Sequence, residues 1–258
     1  MYDLHTHTAF SDGARTAEEM VRAALEKGMT CIGFSEHSTI AWDECGMRPE
    51  TVGLYRAEAA RLKSAYDGRI RVLCGLERDY YSDDGPEYDY VIGSVHWIRM
   101  PDGHPLPIDW TADRLRRDVE RYFSGDWYAL AEAYYALEAD VVRKTRCGII
   151  GHFDLLTKFN ERERTIDEDH PRYRAAWRAA ADALLETGAV FEVNTGAMSR
   201  GYRTAPYPSA EIRAYLAAHG ARMILSSDAH RPEHIAWEFG RFPEIRLPLE
   251  SLLSDANR

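Results

Sequence analysis

No stretch of these 258 residues is apolar for long enough to cross a bilayer, which takes about 20 residues in a row, so no membrane-spanning segment is expected. The N-terminus runs straight into charged and polar residues without an apolar signal region, and a cytoplasmic location is expected. Cysteine is scarce. Cys31, Cys45, Cys74 and Cys147 lie far apart, none at the short spacing of a zinc knuckle or redox motif, and they read as reduced, mostly buried thiols. Basic residues are also in deficit: 32 Lys and Arg face 42 Asp and Glu, a formal net charge of −10 spread along the chain. A general nucleic-acid binder needs a basic stripe to displace counterions, so that class is disfavoured. A small anionic substrate stays compatible if bound cations or a few arginines reverse the field locally.

What is present is enough for one domain with one large core, at 45% hydrophobic content. Short β-branched or aromatic runs alternate with longer helical patterns, the mark of βα units around a parallel sheet. Seven strands are expected near Tyr2 to His5, Cys31 to Phe34, Ile70 to Leu76, Tyr90 to Val95, Ile149 to Gly151, Val190 to Val193 and Met223 to Leu225. Thr16 with Glu19 forms a capping-box pattern and Gly28 closes the helix that follows, while Pro49 suits a first helical turn. Gly188 and Gly220 mark helix-to-strand turns. Met100 to Trp110 reads as a loop, and Thr111 to Lys144 as a long helical region broken near Ser124 and Gly125.

Nearly every expected strand is followed at once by a residue able to bind metal. His5 and His7 close the first, with Asp12 in the next loop; His37 follows the second, Glu77 the third and His96 the fourth. His152 and Asp154 follow the fifth, Glu192 and Asn194 the sixth, Asp228 and His230 the seventh. In a parallel barrel these strand ends share one rim, where active sites are built. His5 and His7, two apart, project alike and can share an ion. His104, His170, His219 and His234 read instead as surface or satisfied residues, with His219 suited to a helix C-terminus. Imidazole and carboxylate without thiolate suit zinc, iron(II) or manganese, whereas calcium takes oxygen only. The ligands outnumber what one ion accepts, so two or three are implied, with Glu77 the natural bridge. Such a cluster can activate water at neutral pH and clamp the oxygens of a phosphoryl group.

The segments Asp3-Leu4-His5-Thr6-His7-Thr8, Ser11-Asp12-Gly13, Glu36-His37, Gly75-Leu76-Glu77, Gly93-Ser94-Val95-His96, Gly151-His152 and Ser227-Asp228-Ala229-His230 resemble the polymerase-and-histidinol-phosphatase superfamily, in order over almost the whole chain. Gly-Ser-Val-His-Trp, Gly-His-Phe-Asp-Leu-Leu and Glu192-Val193-Asn194-Thr195-Gly196 look most like its monofunctional histidinol phosphatases. The resemblance implies a distorted (β/α)7 TIM-like barrel hydrolysing a small anionic phosphomonoester, with L-histidinol phosphate first and another monoester, nucleotide or oligonucleotide end as the alternative. It implies a site of up to three ions: His5, His7, Glu77 and Asp228 for the first; Glu77, His96 and His152 for the second; Asp12, His37 and His230 for the third. Asp12 stands where some members have histidine. Asp12 or His230 is the expected proton donor to the leaving group. Arg200 and Lys158, with Arg203 third, are the candidates for phosphate, and Tyr80 and Tyr81 for pocket walls.

Overall fold

The computed structural model describes residues 1–83, 85 and 88–255. The chain begins β1 (Tyr2–Asp3), α1 (Ala17–Glu26), β2 (Cys31–His37), α2 (Pro49–Ala65), β3 (Arg71–Asp79) and β4 (Tyr90–Ser94). A hairpin of β5 (Trp97–Arg99) and β6 (Pro105–Pro107) follows, then α3 (Ala112–Phe123), α4 (Trp127–Glu138), α5 (Val141–Thr145) and β7 (Ile149–Ile150). The rest comprises α6 (Asn160–Glu163), α7 (Pro171–Leu185), β8 (Val190–Asn194), α8 (Gly196–Ser199), α9 (Ala210–Ala218), β9 (Met223–Ser226) and α10 (Leu249–Asp255).

Seven strands form one parallel sheet in the order β1-β2-β3-β4-β7-β8-β9. Its edges meet where Thr6 bridges Ala229: His7 N–H donates to Ala229 O at 2.9 Å, and Ala229 N–H to His5 O at 3.1 Å. Asp3 reinforces the seam by accepting from Ser227 N at 3.1 Å and Ala236 N at 3.0 Å. The sheet thereby closes as a distorted seven-stranded α/β barrel, with the seam running through the His-x-His pair.

Alternation along the strands sorts the core into layers. Ile32, Phe34, Val72 and Leu76 face outward against α1 and α2, and Phe191 packs with the α3, α4, α7 and α9 side. Leu4, Cys31, Leu73, Tyr90, Ile92, Ile149, Val190 and Ile224 fill the barrel's lower interior. Four residues beyond Leu73 along β3, the inward side carries Glu77 and then Asp79. Tyr90 plugs the interior, its hydroxyl bonded to Leu4 O at 2.5 Å with Phe34 O at 2.9 Å. A Cβ on Gly75 would lie 2.2 Å from the Tyr90 ring and one on Gly33 2.3 Å from its hydroxyl, so both strands need glycine where the ring crosses.

The helix punctuation matches expectation. Thr16 and Glu19 form the capping box, Pro49 opens α2, and Gly28, Gly188 and Gly220 take φ of 70°, 71° and 77°. Met100 to Trp110, expected as a loop, is half hairpin: Trp97 pairs with Pro107 and Arg99 with Pro105, prolines being tolerated on a strand with no further neighbour. The helical region from Thr111 breaks at Ser124 and Gly125 as expected and again at Ala139–Asp140. β2 and β3 run on to His37 and Asp79, so His37 and Glu77 sit within strands rather than after them. Of the thiols only Cys31 and Cys147 are buried, Cys74 is half-buried and Cys45 exposed. No helix among the described residues is long and apolar enough to cross a membrane.

Gly75→Ala forces Tyr90 out of the barrel and should lower the unfolding free energy by about 1–3 kcal/mol, read from the urea midpoint. Gly53→Ala, in exposed helix α2 with open space around the new methyl, should raise it by up to about 1 kcal/mol. Equal midpoints for the two variants would refute the role given to Tyr90.

Candidate metal centre

Glu77 is 1% exposed and lies opposite His37 in the β2–β3 register. Five imidazoles surround its carboxylate. On the Oε2 side are His37 Nδ1 at 2.8 Å, His5 Nε2 at 3.3 Å and His7 Nε2 at 3.5 Å. On the Oε1 side are His152 Nε2 at 2.9 Å and His96 Nε2 at 3.3 Å, together with the Ser94 hydroxyl, which donates at 2.7 Å. Burial alone would raise the Glu77 carboxyl, yet His5, His96, His37 and His152 hold it well below the carboxylate range.

Asp228 adopts φ 48°, a left-handed backbone that turns its side chain back over the rim, and its Oδ1 lies 3.3 Å from His7 Nε2 and 3.7 Å from His5 Nε2. Asp12 Oδ1 lies 3.2 Å from His230 Nε2 and 3.6 Å from His37 Nε2. Burial opposes ionisation of Asp12, but His37, His230 and His7 pull its carboxyl well below the usual range. Burial and the neighbouring His230 and His37 push the His7 imidazole down to about 3, leaving it neutral with lone pairs to offer.

These side chains form three overlapping donor groups: His5, His7 and Asp228; His37, Glu77 and His96; and His7, Asp12, His37 and His230. Glu77 adjoins the first group and His152 the second. Buried His5 Nε2, His7 Nε2 and Glu77 Oε2 have no hydrogen-bond partner. Donors bound about 2.0–2.2 Å from one tetrahedral ion stand about 3.3–3.6 Å apart, close to the separations of 3.2–3.7 Å among His5, His7 and Asp228 and among Asp12, His37 and His230. The residues therefore fit divalent ions.

A supporting layer orients the donors. Glu192 receives His5 Nδ1 at 2.9 and 3.0 Å, which fixes Nε2 as the atom left to bind, and Asn194 bonds Glu192 from behind. Asp79 lies 3.3 Å from His96 Nδ1 and accepts the His96 backbone N–H at 2.9 Å. Glu36 accepts from Thr8 N, the Thr8 hydroxyl and the Ser11 hydroxyl at 3.0, 2.7 and 2.5 Å, pinning the loop that carries Asp12. Asp154, grouped by sequence with the strand-end donors, instead accepts from Ser209 N at 2.8 Å and faces Arg203. Asn194 binds Gly196 N at 2.7 Å to form a turn. Glu192 and Asp79 could not be told from ligands by sequence, because a supporting carboxylate and a ligating one occupy the same kind of strand-end position.

A cleft of about 300 Å³ opens over Asp12, His37, His96, His152, Asp228 and His230. Arg200 and Lys158 line it. Arg200 donates to Asp228 Oδ2 at 2.8 Å and Asp228 O at 3.1 Å, while its Nε has no partner. Lys158 donates to Asp109 Oδ2 at 2.9 Å and lies over the Tyr202 ring at 4.9 Å. Arg203 is outside the lining: buried against the Tyr207 ring at 4.6 Å, it bonds the Thr157 hydroxyl and faces Asp154 at 3.7 Å. Tyr80 and Tyr81 do not wall the cleft either; Tyr80 donates to Asp140 and Tyr81 accepts from Arg99 N. Trp97, Trp110 and Tyr202 take that place. His104, His170, His219 and His234 all lie outside the cluster; His170 caps α7 and His219 closes α9 through Tyr215 O at 2.8 Å.

Glu77→Gln should abolish tight binding of at least two ions, measured as metal content of the purified protein; two or more ions retained would refute the bridge. Glu192→Gln keeps the ligands but frees the His5 ring, and metal affinity should fall about 10–100-fold in a chelator competition. Affinity of the native protein should also weaken as pH falls, because each imidazole must lose its proton to bind.

Residues 3–196 match the PHP domain family model. A Deinococcus radiodurans protein named probable histidinol-phosphatase is 29% identical over 250 residues, covering 92% of this chain and 89% of its own length. A Listeria monocytogenes structure assigned as a histidinol phosphatase superposes with a TM-score of 0.83 at 18% identity, over 94% of this chain and 100% of that one. A Lactococcus lactis histidinol phosphate phosphatase, solved with zinc, L-histidinol and phosphate, gives a TM-score of 0.70 at 20% identity, over 99% and 93%. With three quarters of its length under the family model and the histidine–carboxylate cluster at the strand ends, this chain belongs to the PHP domain family.

Proposed function

We propose that this protein is a cytoplasmic phosphoric monoester hydrolase using two to three divalent ions, zinc, iron or manganese, and that it cleaves L-histidinol phosphate to L-histidinol and phosphate in histidine biosynthesis. The observation that carries this reading is the set of buried, unpartnered donor atoms on His5, His7 and Glu77 beneath a cleft that also holds Arg200 and Lys158. The Deinococcus relative, matched over nearly its full length, supports the choice of substrate. When bound, the ions supply an activated water at neutral pH and positive charge for the phosphoryl oxygens.

The chain's own groups do the rest. His5, His7, Glu77 and Asp228 hold one ion, Glu77, His96 and His152 a second, and Asp12, His37 and His230 a third. Arg200 and Lys158, which line the cleft, would meet the phosphate, the first as a guanidinium whose plane Asp228 fixes and the second as a point charge. Arg203, the third sequence candidate, stays outside the lining, bonded to Thr157. The proton for the leaving oxygen would be passed from a water oriented by Asp12 or His230 on the cleft floor.

Turnover of L-histidinol phosphate by metal-loaded protein, against nucleoside monophosphates and a single-stranded oligonucleotide, tests the assignment. A preference above about a hundredfold for either nucleic-acid substrate, about 2.7 kcal/mol in the transition state, would replace the substrate named here. Full metal content with no activity on any monoester would make the ions structural. Arg200→Ala should keep its metals and lose about 10–100-fold in kcat/KM, the loss of one charge-assisted contact.

A further inference from the structure

The buried groups that the metal centre leaves unused include a carboxyl without a cation. Glu138 closes α4 and is fully buried; its Oε2 has no hydrogen-bond partner, and among the described residues it forms no ion pair. Burial pushes its carboxyl well above the usual carboxylate range, with Tyr134 and His96 opposing and Asp154 and Asp79 adding to the rise. It therefore keeps its proton. The Tyr134 hydroxyl, one helical turn earlier on the same face of α4, lies 2.7 Å from Glu138 Oε1 and 3.3 Å from Phe153 O. Phe153 directly follows His152.

His152 stands on irregular backbone. β7 ends at Ile150, and one further bond ties the chain to β4, from Gly151 N–H to Gly93 O at 2.9 Å. His5 and His96 each have a carboxylate behind Nδ1, Glu192 at 2.9 Å and Asp79 at 3.3 Å. His152 Nδ1 has no partner, so its Nε2, 2.9 Å from Glu77 Oε1, is aimed by the main chain and by packing alone. On that main chain Leu155 N–H donates to His152 O at 2.8 Å and Ser209 N–H to Asp154 Oδ2 at 2.8 Å, whereas among the described residues no backbone N–H reaches Phe153 O. The Tyr134 hydroxyl fills that gap, while Tyr135 packs on the Phe153 ring at 5.3 Å. A neutral carboxyl at Glu138 can give its hydrogen to the Tyr134 oxygen, which leaves the hydroxyl hydrogen for the carbonyl; an ionised one would draw that hydrogen to itself.

We infer that Tyr134 is a positioning residue for His152, acting through the Phe153 carbonyl, and that Glu138 serves it by setting the direction of its hydroxyl. This rests on the metal centre proposed above and holds whichever phosphomonoester is the substrate. It gives His152 from its main chain the restraint that His5 and His96 receive at the ring, and it assigns that restraint to a helix that carries no ligand.

The test loads the protein with cobalt(II), whose visible bands report each ion's ligands, and measures the affinity of each ion by chelator competition. The band and the binding step lost in His152→Ala identify the ion that His152 holds. Tyr134→Phe should weaken that ion about tenfold and leave the others within about twofold, the scale of one lost support behind a ligand. Glu138→Leu should weaken it about threefold or more, while Glu138→Gln, whose amide also donates to the hydroxyl oxygen, should stay within about twofold of the native protein. The urea midpoint is read alongside, because a loss of packing alone lowers the midpoint and leaves the cobalt steps unaltered. Native affinity in Tyr134→Phe, or an equal loss at every ion, overturns the inference and leaves the metal centre standing. Native affinity in Glu138→Leu, or Glu138→Gln no better than Glu138→Leu, overturns the part given to Glu138. A native protein that takes up no cobalt overturns the metal centre, and the inference with it.

Discussion

A fully buried carboxylate cannot stay charged in a protein interior without compensation, and Glu77 is compensated by five imidazoles drawn from four strand ends and the first loop of the barrel. Without cations, protons on those rings must balance it: His37 is raised to about 9 by Glu77 and Asp12 against the opposing effect of burial, and His5 well above its ordinary value. With cations, the rings are neutral and their lone pairs converge. The barrel is built so that this exchange takes place at its closing seam, since the backbone bonds joining the first strand to the last are made by His5, His7 and Ala229. Folding and donor assembly are therefore one event, and metal binding draws on the same free energy that holds the seam shut.

Much of this was legible because a parallel barrel turns strand ends into a rim. The nine candidate donors, scattered from His5 to His230, do meet there, and the pattern that revealed them is positional: one donor type directly after each apolar run. What could not be read was direction. Arg200 and Arg203 are three residues apart, yet Arg200 caps α8 and lines the cleft, whereas Arg203 lies past the turn at Gly201, φ 72°, and packs on Tyr207. Residue types over four positions carry no information about where such a turn sends each side chain. The walls were missed for a related reason. Trp110 ends the stretch from Met100 whose Pro, Gly and Asp content signals a turn, Trp97 lies just before it, and the same composition serves a short hairpin as readily as a loop. Element length was misjudged where β2 and β3 continue past their apolar runs, because the residues that extend them, Glu36, His37, Glu77 and Asp79, are polar and held by one another rather than by burial of apolar surface.

The supporting carboxylates explain an apparent excess of acid around the site. Asp3, Glu36, Asp79 and Glu192 each accept two or more hydrogen bonds from the backbone, hydroxyls or imidazoles that carry the donors. Removing any one would leave the ligand types unchanged and their orientation free. Gly196 belongs to the same logic, since a Cβ there would fall 2.8 Å from Asp228 Oδ2 and 3.0 Å from Arg200 Nη2, in the space where the ion pair forms. The constraint at that position comes from the pair it borders, and from nothing in its own conformation.

A chain of net charge −10 that binds phosphate must concentrate positive charge in a small volume. Arg200 and Lys158 alone do not achieve it, because each already faces a carboxylate, Asp228 and Asp109. Bound divalent cations would supply the surplus over Asp12, Glu77 and Asp228. Asp43 and Asp109 also line the cleft, the latter held by Lys158.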